Sequence, residues 1–222
     1  NTMAMVLTGL GLSPMGLNDI AATDPDKRKA AHYCGELLMQ CLADDLKPRD
    51  VLTREAFINA TRLVAATAGS TNAVLHLLAI AHDAGIDLDL EDFDQAARDT
   101  PVIADLKPGG RYTAVELTDA GGTALVAREL HVAGMLFDAP TVTGKSLFAE
   151  IAAAKPAASG QQVVKPVAEA FKPRGGYSIL YGNIAPEGCV LKLAGHGRTH
   201  HEGPARVFDS EEQAFAAVQS DR

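Results

Sequence analysis

The sequence predicts an α/β fold in which a helix-rich first part is followed by a β-rich last part. Two observations lead to this prediction. Apolar residues recur at helical spacing through most of the chain before residue 155, and short β-branched and aromatic runs alternate with Gly and Pro after residue 160. The stretch 155–160 between them has the Pro, Ser and Gly content of a linker. We therefore expect two domains, at 1–158 and 159–222.

The first part reads as a series of helices. A polar cap followed by proline at Asp24-Pro25 marks the clearest helix start. Apolar side chains then repeat at helical spacing, at Leu37, Leu38, Cys41 and Leu42. The pair Gly121-Gly122 predicts a break inside the sixth helix. The predicted helices cover 2–11, 26–43, 53–66, 72–84, 91–99, 113–133 and 145–154.

The last part reads as short strands followed by one helix. Strands are predicted at 162–167, 177–181, 189–193 and 206–208. Two shorter extended segments are predicted in the first part, at 101–104 and 135–137. The stretch 209–218 combines a capping residue, acidic first turns and apolar Ala214, Phe215 and Val218. This pattern predicts a helix that packs on the strands.

Composition limits the classes of function. The chain has 222 residues, of which 47% are hydrophobic and 22% charged, and this balance is typical of a folded soluble protein. A net charge of -8 disfavours binding to nucleic acid or to an anionic membrane, since both require a basic surface. No apolar run approaches the roughly 20 residues of a membrane span, and no signal peptide is recognisable. We expect a cytoplasmic protein that acts on a small molecule.

The cysteines do not form a recognisable metal or disulfide pattern. Cys34, Cys41 and Cys189 are odd in number and widely spaced, which suits a reducing compartment. Cys34 and Cys41 lie seven residues apart in an apolar helical pattern. We therefore expect the cysteines to fill the core and not to bind metal.

Three histidines crowd into one glycine-rich segment. His196, His200 and His201 lie with Glu202 between Gly195 and Gly203, and such side chains could bind zinc or iron. Adjacent histidines rarely point at one metal ion, however. The pattern favours an exposed loop over a metal site.

The segment Gly69-Ser70-Thr71-Asn72 precedes an amphipathic helix. Free backbone N–H groups at such an entrance, with the helix dipole and two hydroxyls, can hold a carboxylate or a phosphate. The alternative is an ordinary N-cap by Ser70, Thr71 or Asn72, and the spacing alone favours that alternative. These three residues are candidates for substrate binding.

A second candidate pairs a carboxylate with a lysine in a turn. Asp105 and Lys107 directly follow the extended segment 101–104 and precede Pro108 and two glycines. Asp105 could bind a divalent ion and Lys107 could neutralise an acid. A solvated turn with an ion pair is favoured on local evidence.

The segment 66–77 resembles the signature of the dihydroxy-acid dehydratase and phosphogluconate dehydratase family. The family usually has Gly where this chain has Ala68. Further similar segments follow in the family's order at 104–112, 141–147, 182–188 and 203–212. The resemblance spans almost the whole chain, which has no initiator Met at its first residue. It implies an internal fragment, with the later part of an α/β N-terminal domain and the start of a β-rich, barrel-like C-terminal domain.

The resemblance also implies a reaction and its cofactors. In this family a 2,3-dihydroxy acid loses water to give a 2-keto acid, and an iron–sulfur cluster and Mg2+ assist as Lewis acids. The resemblance places the ligands of both upstream of this chain, and a serine that acts as base downstream of it. No catalytic residue and no metal ligand is therefore assigned within this chain. Homodimers are usual in the family, so we expect a homodimer.

Three functions remain open at this point. The leading one is a hydro-lyase that acts on 2,3-dihydroxyisovalerate in branched-chain amino-acid biosynthesis. The second is a sugar-acid dehydratase of the 6-phosphogluconate or arabinonate type. The third is a catalytically silent piece that serves binding or assembly. For the two enzymes, Ser70, Thr71 and Asn72 are the main substrate-binding candidates, and Asp105 and Lys107 are weaker ones.

Overall fold

The computed structural model describes residues 2–193 and 200–220, and helices dominate this part of the chain. The helices are α1 Thr2–Gly9, α2 Lys27–Ala43, α3 Pro48–Val51, α4 Arg54–Ala66, α5 Asn72–Ala84, α6 Leu90–Asp99, α7 Ala114–Ala120, α8 Gly122–Val132, α9 Leu147–Ala153 and α10 Glu211–Gln219. Short 3-10 helices lie at Leu17–Asp19 and Val167–Glu169. Strands β1 Tyr177–Leu180 and β2 Cys189–Lys192 form an antiparallel pair. The α/β prediction is confirmed, as a helix-rich fold with a small sheet.

Local capping explains where several helices begin. The hydroxyl of Thr53 accepts a hydrogen bond from the Ala56 N–H at 3.2 Å and starts α4. A reciprocal capping box starts α7, where Thr113 and Glu116 satisfy each other's backbone N–H groups. The predicted break in the sixth helix is confirmed, because Gly121 adopts a φ of 138° between α7 and α8.

Helix α4 joins two clusters of buried apolar side chains. Leu63 belongs to one cluster, which includes Ile103 and Leu130. Phe57 belongs to the other, which includes Phe93. The core therefore extends across both faces of α4. Burial of its apolar side chains stabilises the fold by about 25 cal/mol per Å² of apolar area.

The hairpin of β1 and β2 docks on the helical part. Tyr177, the first residue of β1, pairs with Lys192 of β2 and is fully buried in the cluster around Phe57. The Ile179 N–H donates to the carboxylate of Asp94 on α6 at 3.2 Å. The hairpin thereby packs against α6, and the Gly176 N–H just before it donates to the Ala65 carbonyl near the end of α4 at 3.3 Å.

Two predicted strands differ from the structure. Residues 162–167 contain no strand, because the side chain of Gln161 accepts hydrogen bonds from the N–H groups of Val163 and Val164. Those N–H groups are thus satisfied locally, and only an isolated bridge joins Val164 to Ala104. Residues 206–208 contain no strand either. The short segments 101–104 and 135–137 likewise contain no strand, although bridges form at Val102 and Ala104.

Two helices leave apolar side chains exposed. The helical pattern of α2 is confirmed, but Ala30 is its only buried residue, and Leu38 and Leu42 are 61% and 67% exposed. The sequence predicts that α10 packs on the strands, yet Phe215 and Val218 are 62% and 76% exposed. That prediction is wrong, since none of the residues of α10 is buried. None of the described helices combines the length and apolarity needed to cross a membrane.

The cysteines do not fill the core as the sequence predicts. Cys34 and Cys189 are exposed, and Cys41 is half-buried. The helical spacing of Cys34 and Cys41 is real, but the face that carries them is largely uncovered in this chain. The thiol of Cys41 lies 3.4 Å from the Val142 carbonyl oxygen.

Candidate functional site

One cavity of about 780 Å³ lies where distant parts of the chain meet. Its walls come from the start of α1, the segment 18–22, the turn between α4 and α5, the segment 106–108, helix α7 and Lys192 of β2. The volume falls within the range of small-molecule sites, which is about 300 to 1,000 Å³. Two of the sequence segments predicted to bind substrate thus meet at one cavity.

The turn between α4 and α5 forms one wall. The Gly69 N–H donates to the Val64 carbonyl at 3.0 Å and the Ala68 N–H to the Ala65 carbonyl at 3.2 Å. This pair of bonds ends α4 in a Schellman motif, which requires a left-handed residue after the helix. Ala68 occupies that position with a φ of 46°. Glycine adopts this left-handed conformation at little steric cost, whereas the Cβ atom of Ala68 makes it less favourable.

Ser70 and Thr71 line the cavity, whereas Asn72 does not. The Ser70 N–H donates to the hydroxyl of Thr2 at 2.9 Å, and the Ser70 hydroxyl accepts from the Asn72 N–H at 3.3 Å. Two of the three N–H groups of residues 70–72 are therefore already satisfied within the protein. The hydroxyls of Ser70 and Thr71 are the groups that this wall offers to a ligand.

Asp105 and Lys107 have separate positions. Asp105 accepts hydrogen bonds from the backbone N–H of Arg111 at 3.2 Å and from its Nε at 2.5 Å, and it is not part of the cavity wall. The ion pair in this turn thus joins Asp105 to Arg111 and not to Lys107, and the Asp105 side chain is only 15% exposed. Lys107 is exposed and lines the cavity, and its ammonium donates no hydrogen bond to any described residue. That ammonium is available to an anion.

Lysines outnumber carboxylates in the cavity wall. Among the residues that the structure describes, Lys27, Lys107 and Lys192 line it, together with one carboxylate, that of Asp19. Asp19 accepts from the backbone N–H of Thr123 at 2.7 Å and from its hydroxyl at 2.6 Å, so that both carboxylate oxygens are engaged. The net positive charge of the wall suits an organic anion.

Sequence reasoning missed two of these lysines. Lys27 Nζ donates to the Ile20 carbonyl at 2.8 Å, and Lys192 Nζ donates to the carbonyls of Ala68 and Gly69 at 2.9 and 2.6 Å. Burial lowers the pKa of the half-buried Lys192 ammonium below its ordinary value. Neither lysine lies in a motif, and only the long-range packing brings them to the cavity.

The described residues do not supply a metal centre. Within 2–193 and 200–220, no three His, Cys, Asp or Glu side chains come together in a way that could hold a metal ion. His200 and His201 are exposed, and His196 lies outside the described residues. The described residues therefore do not fit an iron–sulfur cluster or Mg2+.

Comparison with known proteins shows the family to which this chain belongs. Residues 1–150 match the family model described as "Dihydroxy-acid/6-phosphogluconate dehydratase N-terminal", and residues 162–222 match the corresponding C-terminal model. The chain thus belongs to the dihydroxy-acid/6-phosphogluconate dehydratase family, whose members are hydro-lyases with small-molecule substrates. The resemblance seen in the sequence is confirmed. The boundary between 158 and 159 stays a prediction.

Individual relatives carry a more particular name. Proteins named dihydroxy-acid dehydratase are 58% identical over 219 residues in Thermus thermophilus, 52% in a Roseiflexus species and 45% over 220 residues in Sulfurisphaera tokodaii. Each alignment covers 98% of this chain and 39% to 40% of the relative. The chain therefore spans about 40% of the length of the curated relatives that it matches.

Proposed function

We propose that this chain forms part of the substrate cavity of an enzyme that dehydrates 2,3-dihydroxy acids of the 2,3-dihydroxyisovalerate class to 2-keto acids. The observation that supports this most is the cavity itself, which Ser70 and Thr71 of the family signature line together with Lys107. Hydroxyls suit the substrate hydroxyls, and ammonium groups suit its carboxylate. The names of the relatives support the same substrate class.

The reaction removes one water molecule and changes no overall oxidation state. A base takes the C2 proton, the C3–O bond breaks as the C2=C3 bond forms, and the departing hydroxide leaves as water. The resulting enol then moves its O–H proton to C3 and becomes the 2-keto acid. In our proposal Lys107 binds the substrate carboxylate, while Ser70 and Thr71 hold hydroxyls and orient the molecule.

The remaining features of this proposal concern the whole protein. We expect an iron–sulfur cluster and Mg2+ as its cofactors, with ligands from residues other than those described in this chain. We also expect a cytoplasmic homodimer that serves branched-chain amino-acid biosynthesis. These expectations follow from the resemblance and from the charge and composition of the sequence.

A sugar-acid dehydratase is the second candidate, because three lysines in one cavity could also suit a phosphate. Two of them already donate to backbone carbonyls, Lys27 to Ile20 and Lys192 to Ala68 and Gly69. This leaves Lys107 as the lining lysine whose ammonium has no hydrogen-bond acceptor among the described residues. One such ammonium favours a single carboxylate over a carboxylate with a phosphate.

Turnover by the full-length protein that contains these residues tests the proposal. The expected result is conversion of 2,3-dihydroxyisovalerate to its 2-keto acid, with 6-phosphogluconate a much poorer substrate. The variant Lys107→Met should raise KM at least about tenfold, since a hydrogen bond to a charged group contributes about 1.5 to 3 kcal/mol. Lys47→Met is the matched control, since the Lys47 ammonium pairs with Asp45 on the surface, outside the cavity. Turnover of 6-phosphogluconate alone would contradict the proposal.

A further inference from the structure

Lys192 connects the β-hairpin to the turn that carries the signature segment. Its ammonium lies 2.9 Å from the Ala68 carbonyl oxygen and 2.6 Å from that of Gly69. Those two carbonyls directly precede Ser70 in the chain. No other described residue donates a hydrogen bond to them. Among the described residues, Lys192 is therefore the hydrogen-bond donor that both carbonyls share.

The charge of Lys192 suits the place where it binds. Helix α4 ends at Ala66, so the carbonyls of Ala68 and Gly69 lie just past its C-terminal end, where the carbonyls of the last turn carry the negative end of the helix dipole. A cation at such an end is stabilising, and its hydrogen bonds to carbonyls are stronger than those of neutral donors. The left-handed Ala68 adds a conformation that needs support from its surroundings. Lys192 supplies that support directly.

The hydrogen bonds from Lys192 to the two carbonyls fix the orientation of their peptide groups. A peptide plane that turns its carbonyl toward Lys192 turns its N–H to the opposite side, and the Ser70 N–H indeed donates to Thr2 on α1. The Gly69–Ser70 peptide is thus held from both sides, by Lys192 and by Thr2. Ser70 and Thr71 follow at once and line the same cavity as Lys192.

We propose that Lys192 is a positioning residue, which holds the turn between α4 and α5 so that Ser70 and Thr71 present their hydroxyls to the substrate. The inference rests on the proposed function for the identity of the ligand, a 2,3-dihydroxy acid. It adds that binding of this acid depends on the docked hairpin, because Lys192 belongs to β2. Lys192 acts through the turn and is not assigned a direct contact with the reacting atoms.

Hydrogen exchange in the full-length protein tests the positioning without any need for activity. Lys192→Met keeps the length of the side chain and removes its donors. We expect amide exchange in the peptide 67–74 to accelerate about tenfold, and Lys192→Arg to restore most of the protection because a guanidinium also donates to carbonyls. The matched control is Lys172→Met, since the half-buried Lys172 donates to the Leu193 carbonyl at 3.2 Å beside the same hairpin. Equal exchange in the two methionine variants would overturn the proposal.

Steady-state kinetics with 2,3-dihydroxyisovalerate then test the consequence for the substrate. We expect Lys192→Met to raise KM about tenfold with a smaller change in kcat, and Lys172→Met to change KM less than about twofold. Faster exchange with an unchanged KM would overturn the link to substrate binding. If the unmodified protein does not turn over this acid, the proposed function fails, while the exchange comparison still decides whether Lys192 holds the turn.

Discussion

Replacing Gly176 with alanine should separate the hairpin from the turn between α4 and α5. A Cβ atom at Gly176 would lie less than 3.0 Å from Ala68 Cα, whereas ordinary van der Waals contact begins at 3.4 Å. The two backbones must therefore move apart by well over the few tenths of an ångström that a merely tight contact would require. The same movement would stretch the bond from Lys192 to the Ala68 carbonyl beyond its present 2.9 Å. Because backbone atoms cannot rotate away, the clash cannot be relieved locally.

The expected cost of this substitution is measurable. Overpacking of a tight contact costs about 1 to 3 kcal/mol, and we expect about 2 kcal/mol here. For a chain of this length that corresponds to a fall in Tm of roughly 4 to 8 °C. Thermal unfolding followed by circular dichroism measures it, with Gly182→Ala as the matched control because a Cβ there meets no atom within 4 Å. Equal Tm values for the two variants would refute the close approach of the hairpin to the turn.

Three further predictions concern buried polar side chains. Asn59→Leu should lower the free energy of unfolding by about 3 kcal/mol in urea titration, because the amide of Asn59 both donates to and accepts from the Phe137 backbone, at 2.9 and 2.8 Å. An effect below about 1 kcal/mol would contradict the buried pair. Glu150→Gln should cost about 2 kcal/mol in the same assay, since three donors converge on the carboxylate and an amide cannot accept all of them; an unchanged midpoint would argue against this convergence. Burial raises the pKa of the Tyr177 phenol, so the folded chain keeps a proton that the unfolded chain loses above about pH 10. The stability that this raised pKa contributes is present below that pH and is lost as the pH rises. Tyr177→Phe removes the titrating group and should therefore shift the alkaline unfolding midpoint upward. A midpoint equal to that of the unmodified chain would contradict this reasoning.

The helices could be predicted because their signals are local. Thr53 and Thr113 cap helices within three residues of themselves, and Gly121 breaks one by its own backbone conformation. The prediction of a strand at 162–167 is wrong because its β-branched residues carry no information about pairing. The side chain of Gln161 competes successfully for the backbone N–H groups that a strand partner would have needed. The predicted burial of α10 is wrong for a related reason, since an apolar pattern does not reveal what covers it.

The site could be predicted only in part. Ser70 and Thr71 lie in a contiguous motif, and Lys107 lies in a second one, so that inspection of the sequence found all three. Lys27 and Lys192 lie in ordinary helix and strand patterns, and the cavity needs the tertiary fold to bring them together. Asp105 shows the opposite case, because its motif is real but its carboxylate pairs with an arginine outside the cavity wall.

A crystal structure of the full-length protein with bound 2,3-dihydroxyisovalerate tests the central claim most directly. The account predicts that the substrate occupies the cavity between the turn that carries Ser70 and the segment that carries Lys107. Its carboxylate should lie within hydrogen-bonding distance of the Lys107 ammonium, which is about 2.7 to 3.2 Å. Substrate bound with its carboxylate elsewhere, and with no contact to Ser70 or Thr71, would contradict the account.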